Sequence, residues 1–289
     1  MPPLYVVINA DDMGASPSVN DAVCRAHEKG ALTSASIMAG GAAFGQAAKI
    51  AHATPGLSTG IHITLCDGRA VLPQSKIPGL VDDNGFFEAS PAKAGYNYWR
   101  HWKTLSGQIQ AEMEAQFDRL EAEGLKPSHA DSHHHLHMHP LVFRSLSRIC
   151  ARREVKWIRI TREPIRAAAE SGAKMAEWGV FRALGGINSR YSGRMYIRSA
   201  SCSIDLSRAR AVKTTDNVAK SGSCQPVLRF IKIAGGTVAE FYCHPDMATE
   251  RGRMEMEAVG SGLLRRRIEE AGVKLAGFAE LASSGKGGK

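Results

Sequence analysis

The feature that most constrains this chain is a rhythm: short apolar, β-branched runs alternate with helical stretches and end in acidic residues or histidines. Tyr5 to Ala10 (YVVINA) reads as a buried strand that stops at two aspartates and a glycine. Ser18 to Lys29 reads as a helix closed by Gly30. Leu32 to Met38 is a second strand, Ala42 to Thr54 a second helix and Thr59 to Leu65 a third strand. Further on come a helix over Gln108 to Glu123, a strand over Pro127 to His133 and a helix over Pro140 to Arg152. Val155 to Thr161 and Thr237 to Cys243 are further strands; Val227 to Ala234 and Ser261 to Ala271 are helices, the latter followed by a short VKLAGF strand. Strands and helices alternating at this spacing predict an α/β fold, a mostly parallel sheet with crossover helices, open or closed into a barrel.

The rhythm breaks between Asp67 and Lys103, where prolines, the turn Asp82-Asp83-Asn84-Gly85 and the aromatics Phe86, Phe87, Tyr96, Tyr98, Trp99 and Trp102 gather. A connection this long is read as a covering segment over the site or as a satellite core. With no repeat and no linker, one domain is expected over residues 1–282, with the aromatic covering segment at about 67–105 and a disordered tail over 283–289. Residues 162–222 carry little readable pattern.

Composition bounds the class. Hydrophobic residues at 44% with 22% charged support a sizeable core, and no apolar run approaches the roughly 20 residues that span a bilayer. The start MPPLYVVINADD has no basic n-region, so the expected location is cytoplasmic, with the periphery of the inner membrane also open. Six scattered cysteines without a CxxC pair read as reduced thiols. Cys243 beside His244 could form a nucleophile–base pair, but strand neighbours point to opposite faces. The net charge of +9 gathers at Arg148, Arg152, Arg153 and Lys156, and at Arg265, Arg266 and Arg267. A solvated helix face explains it best; an anionic membrane is a second reading, and no nucleic-acid motif accompanies it.

Polar residues sit at the carboxyl ends of the predicted strands: Asp11 and Asp12, then His62, then the run Asp131 to His139 (DSHHHLHMH), then His244-Pro245-Asp246. Those ends are where parallel α/β folds bind ligands. Adjacent carboxylates repel, and burying them without a cation is costly. One can hold a metal ion while its neighbour takes a proton. Alone, Asp-Asp-x-Gly is also a solvated turn, and a lone His62 is also a core residue. The histidine run is a stronger metal signal. His133, His135, His137 and His139 alternate, so they share a face while the chain stays extended. Asp131 could fix a tautomer from behind a ligand. One Asp and two His (Asp12, His62, His133) suit one divalent ion, zinc first and magnesium also, with a position left for water. Asp11 would be the base and His244 the acid. Glu240, Tyr242 and His244 alternate on one strand face, and an inward Arg159 in VKWIRIT would need an anion.

The ordered motifs NADDMG, GIHITL, PSHADSHHHLH and EFYCHP resemble the YdjC-like carbohydrate deacetylases over nearly the full length. The resemblance implies a distorted, TIM-like (β/α) barrel, a divalent metal on one Asp and two His, and hydrolysis of a sugar acetamide. By position it implies Asp12, His62 and His133 as ligands, Asp11 as base and His244 as acid. Asp131, His135, His137, Arg159, Glu240 and Tyr242 are expected behind them or against substrate. GRAVLPQSKIPGLVDDNGFF and RRRIEEAGVKLAGFAEL are similar to the hopanoid-biosynthesis branch, which implies an N-acetylglucosaminyl hopanoid as substrate. The readings left beside it are a chito-oligosaccharide deacetylase, a metallophosphoesterase and a non-catalytic zinc-binding module. The expected partner is a small glycolipid or amino sugar, not nucleic acid, with anionic membrane contact and a homodimer left open.

Overall fold

A computed structural model describes residues 4–171, 174–206, 225–234 and 236–284. The first unit is strand β1 (Tyr5–Met13), helix α1 (Pro17–Lys29) and strand β2 (Ser34–Ile37). Ser16 starts α1 by accepting from the Val19 amide, and Pro17 occupies the first turn, where no intrahelical N–H bond is lost. Helix α2 (Phe44–Ala53) and β3 (Ser58–Ile63) repeat the unit. After the irregular stretch come α3 (Pro91–Arg100), α4 (Trp102–Ala122), β4 (His129–Ser132), α5 (Pro140–Arg152) and β5 (Trp157–Ile158). The chain continues through α6 (Ile165–Ser171), α7 (Met175–Arg194), β6 (Cys202–Asp205), α8 (Gln225–Ala234) and β7 (Val238–Cys243). It closes with α9 (Glu250–Val259), α10 (Gly262–Glu270), β8 (Lys274–Leu275) and α11 (Phe278–Ser283).

The pairings between these strands are parallel, in the order β5-β4-β3-β2-β1-β7-β6, with β8 beside the start of β1. The sheet curls, and an isolated parallel bridge from Trp157 to Arg198 links its far edges. The expected barrel is therefore barrel-like, with a seam of one bridge.

Period-two alternation sorts β1. Val6, Ile8 and Ala10 join the large core under the helices, while Val7 joins a smaller cluster with Trp157, Val238 and Phe278 at the floor of the curl. Asn9 and Asp11 follow Val7 on that inner face. The inner face is thus apolar at the floor and polar above it. Gly60 lies two residues before His62, and a Cβ there would stand 2.5 Å from the His129 ring. That ring is fixed by Ser128, Asn9 and Ser36 and rests 4.3 Å from Phe278.

Several boundaries differ from expectation. Strand β5 stops at Ile158, so Arg159 sits just beyond it, and α4 begins six residues before the expected Gln108. The stretch over 67–105 divides. Ile77, Leu80, Val81 and Phe87 pack into the main core, whereas Pro91 to Tyr96 lines the pocket described below. Glu112 ties the first part down by accepting from the Val71 and Leu72 amides, 2.9 Å each. Arg152 and Arg153, part of the basic cluster, pair with Glu114, and Arg153 also reaches Asp118 and Glu121. That part of the +9 charge is answered locally. Cys24, Cys66, Cys150, Cys202 and Cys243 are free, and Cys224 lies outside the described residues. Of the expected tail, Ser283 ends α11 and 285–289 lie outside the described residues. No helix among the described residues is long and apolar enough to cross a membrane.

Because the His129 ring has no free direction in which to move, Gly60→Ala is expected to lower stability by about 2–3 kcal/mol, the upper range for overpacking a core. Urea unfolding with an unchanged midpoint would show that the ring yields.

Candidate metal-dependent active site

The site begins with a backbone irregularity. Asp11 and Asp12 are neighbours, and on a regular strand their side chains would point to opposite faces. The β1–β2 register shifts between Ala10 and Met13, and Asp12 takes a left-handed φ of 63°. This bulge turns both carboxylates into one pocket. Gly14, at φ 95°, completes the turn by donating its amide to Asn20 Oδ1 at 2.7 Å. Strain of this kind is held by the structure around it.

Asp12 Oδ1 lies 3.1 Å from His62 Nε2 and 2.8 Å from His133 Nδ1. The other nitrogen of His62 lies 2.7 Å from Asp131 Oδ1. Burial alone would raise the Asp12 carboxyl, but the hydrogen bonds of His133 and His62 hold it well below the usual carboxylate range. Burial works to lower His62, yet Asp131 and Asp12 on either side raise it to about 10. Without a metal, a proton on His62 thus stands between two carboxylates. Two imidazole nitrogens and one carboxylate oxygen converge within 4.8 Å, with Asp131 fixing one ring from behind. This donor set fits a divalent ion, which would displace that proton.

Arg159 is the second centre. Its Nη1 donates to Asp11 Oδ2 at 2.6 Å and its Nη2 to Asp11 Oδ1 at 2.7 Å. Nη2 also lies 2.8 Å from Asp131 Oδ2, and Nε donates to Glu240 Oε1 at 2.8 Å. Burial opposes its charge, but Asp11, Asp131 and Glu240 hold the guanidinium firmly protonated. The Tyr242 ring lies 4.4 Å from its central carbon, a cation–π contact. Arg159 therefore orients the proposed base, supports the partner of His62 and takes the charge of Glu240.

The histidine run does not stay extended. After β4 the chain enters a 3-10 turn over His133–Met138, with His134 and His135 left-handed, so the rings diverge. His133 faces Asp12, and His134 reaches Asp67 at 3.0 Å. His135 lines the pocket with its Nε2 3.0 Å from the Tyr242 hydroxyl. His137 is buried between Ser132 Oγ and the Arg159 carbonyl, away from the pocket, and steadies the Arg159 backbone.

His244 follows β7. Its Nε2 lies 3.9 Å from Asp11 Oδ2 and its Nδ1 3.7 Å from Glu255 Oε2. Burial works to lower this ring, but Glu255, Asp11, Asp12 and Asp205 raise it to about 9. Cys243 is no nucleophile. Burial pushes its thiol well up, and its Sγ faces the Asn9 carbonyl, 3.5 Å away.

Some contributors escape a sequence reading. Asn9 donates to Asp11 Oδ1 at 2.8 Å and to Ser36 Oγ at 2.9 Å, and Ser36 donates to Asp131 Oδ2 at 2.7 Å. A signal was available for Asn9, a polar residue inside an otherwise apolar run, but not for Ser36, whose strand SASI is half serine. Glu255, on a helix not anticipated, had no such signal.

Asp11, Asp12, His62, His133, His135, His244 and Glu255 line a cavity of about 1000 Å³ together with Tyr96, Val180, Phe181 and Asp246. Residues 5–273 match the YdjC-like protein family, and the chain belongs to it. A carbohydrate deacetylase of Geobacillus stearothermophilus is 38% identical over 167 residues, 57% of this chain and 62% of that protein. A chitooligosaccharide deacetylase of Salmonella schwarzengrund (strain CVM19633) is 27% identical over 281 residues, 96% and 98% of the two chains. The crystal structure of a proposed cellobiose-phosphate cleavage protein of Enterococcus faecalis V583 shares the fold, with a TM-score of 0.68 at 21% identity, covering 96% of this chain and 99% of that one.

Removing Arg159 leaves three carboxylates facing one another in the interior. Arg159→Met is expected to destabilise the protein by about 3–5 kcal/mol, the cost of breaking a buried charge network from one side. A denaturation midpoint equal to the wild type's would show that those carboxylates find other partners.

Proposed function

We propose that this chain is a metal-dependent carbohydrate N-deacetylase that hydrolyses the acetamide of an N-acetylglucosamine-bearing substrate. The observation that carries the reading is the meeting, in one open pocket, of Asp12, His62 and His133 with an Arg159-clamped Asp11. The deacetylases among its relatives support the same chemistry.

Asp12, His62 and His133 would hold one divalent ion, zinc being the best match to the donor set and magnesium the second. Bound there, the ion would supply Lewis acidity, bringing the pKa of water to about 7 and polarising an amide carbonyl. Asp11 accepts the proton of the attacking water; its position is set by Arg159 and Asn9, so it needs no reorganisation. His244 gives a proton to the amine nitrogen as the C–N bond breaks, releasing acetate and the free amine. His135 lines the pocket, and Tyr242, joined to it by a hydrogen bond, lies behind it against Arg159. Glu240 and Asp131 act through Arg159 and His62.

The substrate is proposed to be a lipid-linked amino sugar of the N-acetylglucosaminyl hopanoid type. Tyr96 and Trp99 on α3 and Met175 and Val180 on α7 are large apolar side chains that stay 50–63% exposed, and Tyr96 and Val180 also line the pocket. Such a border matches an apolar aglycone beside the sugar. The same aromatic pair would also stack on sugar rings, and the Salmonella relative favours a chito-oligosaccharide. Acetate release from the two substrates, measured side by side, decides: equal or faster turnover of the oligosaccharide sinks the lipid reading.

Asp11→Asn is expected to lower kcat by about 10³-fold or more while one divalent ion per chain is retained, the loss typical of a missing general base combined with a disturbed clamp. Metal analysis beside the rate assay checks both halves. Full activity in that variant would show that Asp11 is not the base.

A further inference from the structure

We propose that Glu255 is a positioning residue: its carboxylate aims the His244 ring and balances the charge that ring carries as proton donor. The inference rests on the acid role assigned to His244 above.

Its basis is the way α9 is seated. Thr249 caps the helix by accepting from the Gly252 amide. Gly252 presses against the loop after β7, where a Cβ would stand 2.5 Å from Asp246 Cβ and 2.7 Å from its backbone N and O. That loop is pinned in turn to α1, since Ser18 Oγ donates to Asp246 Oδ1 at 2.6 Å and the Met247 amide donates to the Ser18 carbonyl. From this fixed helix Glu255, 1% exposed, reaches back toward the pocket. Its Oε2 accepts the His244 amide at 2.6 Å and stands 3.7 Å from His244 Nδ1. Its Oε1 accepts from Arg251 Nε at 3.0 Å. One carboxylate thus holds the backbone and one face of the ring of a single histidine.

A carboxylate buried this deeply is expensive unless its charge is answered, and Arg251 alone, with its side chain 67% exposed, answers it weakly. A charged His244 supplies the rest. With Nδ1 directed at Glu255, Nε2 is the nitrogen left facing the pocket, 3.9 Å from Asp11 Oδ2, where a leaving amine would take its proton. The other groups around the ring are Asp11 and Asp12 from β1, Asp205 from β6, His135, and the Tyr242 ring at 6.1 Å.

A purely structural clip would use only the backbone amide and Arg251, and the two roles separate in Glu255→Gln, which keeps an acceptor for the amide and removes the charge. The expected result is a kcat at least about 10-fold lower with KM changed less than about twofold, and an alkaline limb of the kcat profile displaced downward by about one pH unit or more. The sign follows from the donor role: activity is present while His244 is protonated and is lost as pH rises through its pKa. Glu255→Asp, which keeps the charge, is expected to hold the limb within about half a unit. An alkaline limb that stays in place in Glu255→Gln overturns the proposal. If that variant does not fold, NMR titration of His244 in the wild-type protein decides. A ring that titrates above the ordinary 6.5 supports the contact, and one titrating at or below it overturns it. Should the ring shift in Glu255→Gln while no acetamido sugar is turned over, the contact stands and the deacetylase reading fails.

Discussion

The structure depends on the burial of one guanidinium. Arg159 joins Asp11, Asp131 and Glu240, residues contributed by β1, β4 and β7, on the inner face of the curled sheet. A charge in such a place is tolerable only if its partners surround it, so the three strands must keep the register that brings their carboxylates to it. This requirement also explains why the inner face changes from apolar to polar along β1, from Val7 to Asn9 to Asp11. The floor needs packing, and the level above it needs donors and acceptors with no unsatisfied group.

The same hub ties the two halves of the site together. One edge of Asp131 fixes His62, and the other leans on Arg159. The proposed base and the ring beside the proposed metal position therefore share one support. Preorganisation here is a property of the sheet rather than of the loops above it, which is the arrangement that keeps charge stabilisation independent of solvent rearrangement.

Much of the architecture was legible because its causes are local. Hydrophobic period and turn residues placed the strands β1 to β4 and β7, and their ends pointed to the pocket. What remained hidden depends on backbone detail or on long-range packing. The alternating histidines promised a shared face, but the chain turns left-handed at His134 and His135 and sends His133, His135 and His137 to different partners. Only His133 reaches Asp12. Asp11 and Asp12 looked like strand neighbours with opposed side chains, and a bulge unites them. Glu255 arrives from a helix with weak amphipathic pattern, and nothing in RMEMEA marks its first glutamate as buried.

The left-handed backbone at position 12 also limits how this site can change. Left-handed geometry is readily adopted by glycine, asparagine and aspartate, and is strained for β-branched or bulky residues. Of the three, aspartate alone brings a negative charge to the two imidazoles. Glutamate, the other carboxylate, would have to accept both an unfavourable backbone and a longer reach. Lineages that alter the chemistry of this pocket are therefore channelled toward its walls on α3 and α7, where exposed side chains can be exchanged without disturbing either the turn or the buried guanidinium.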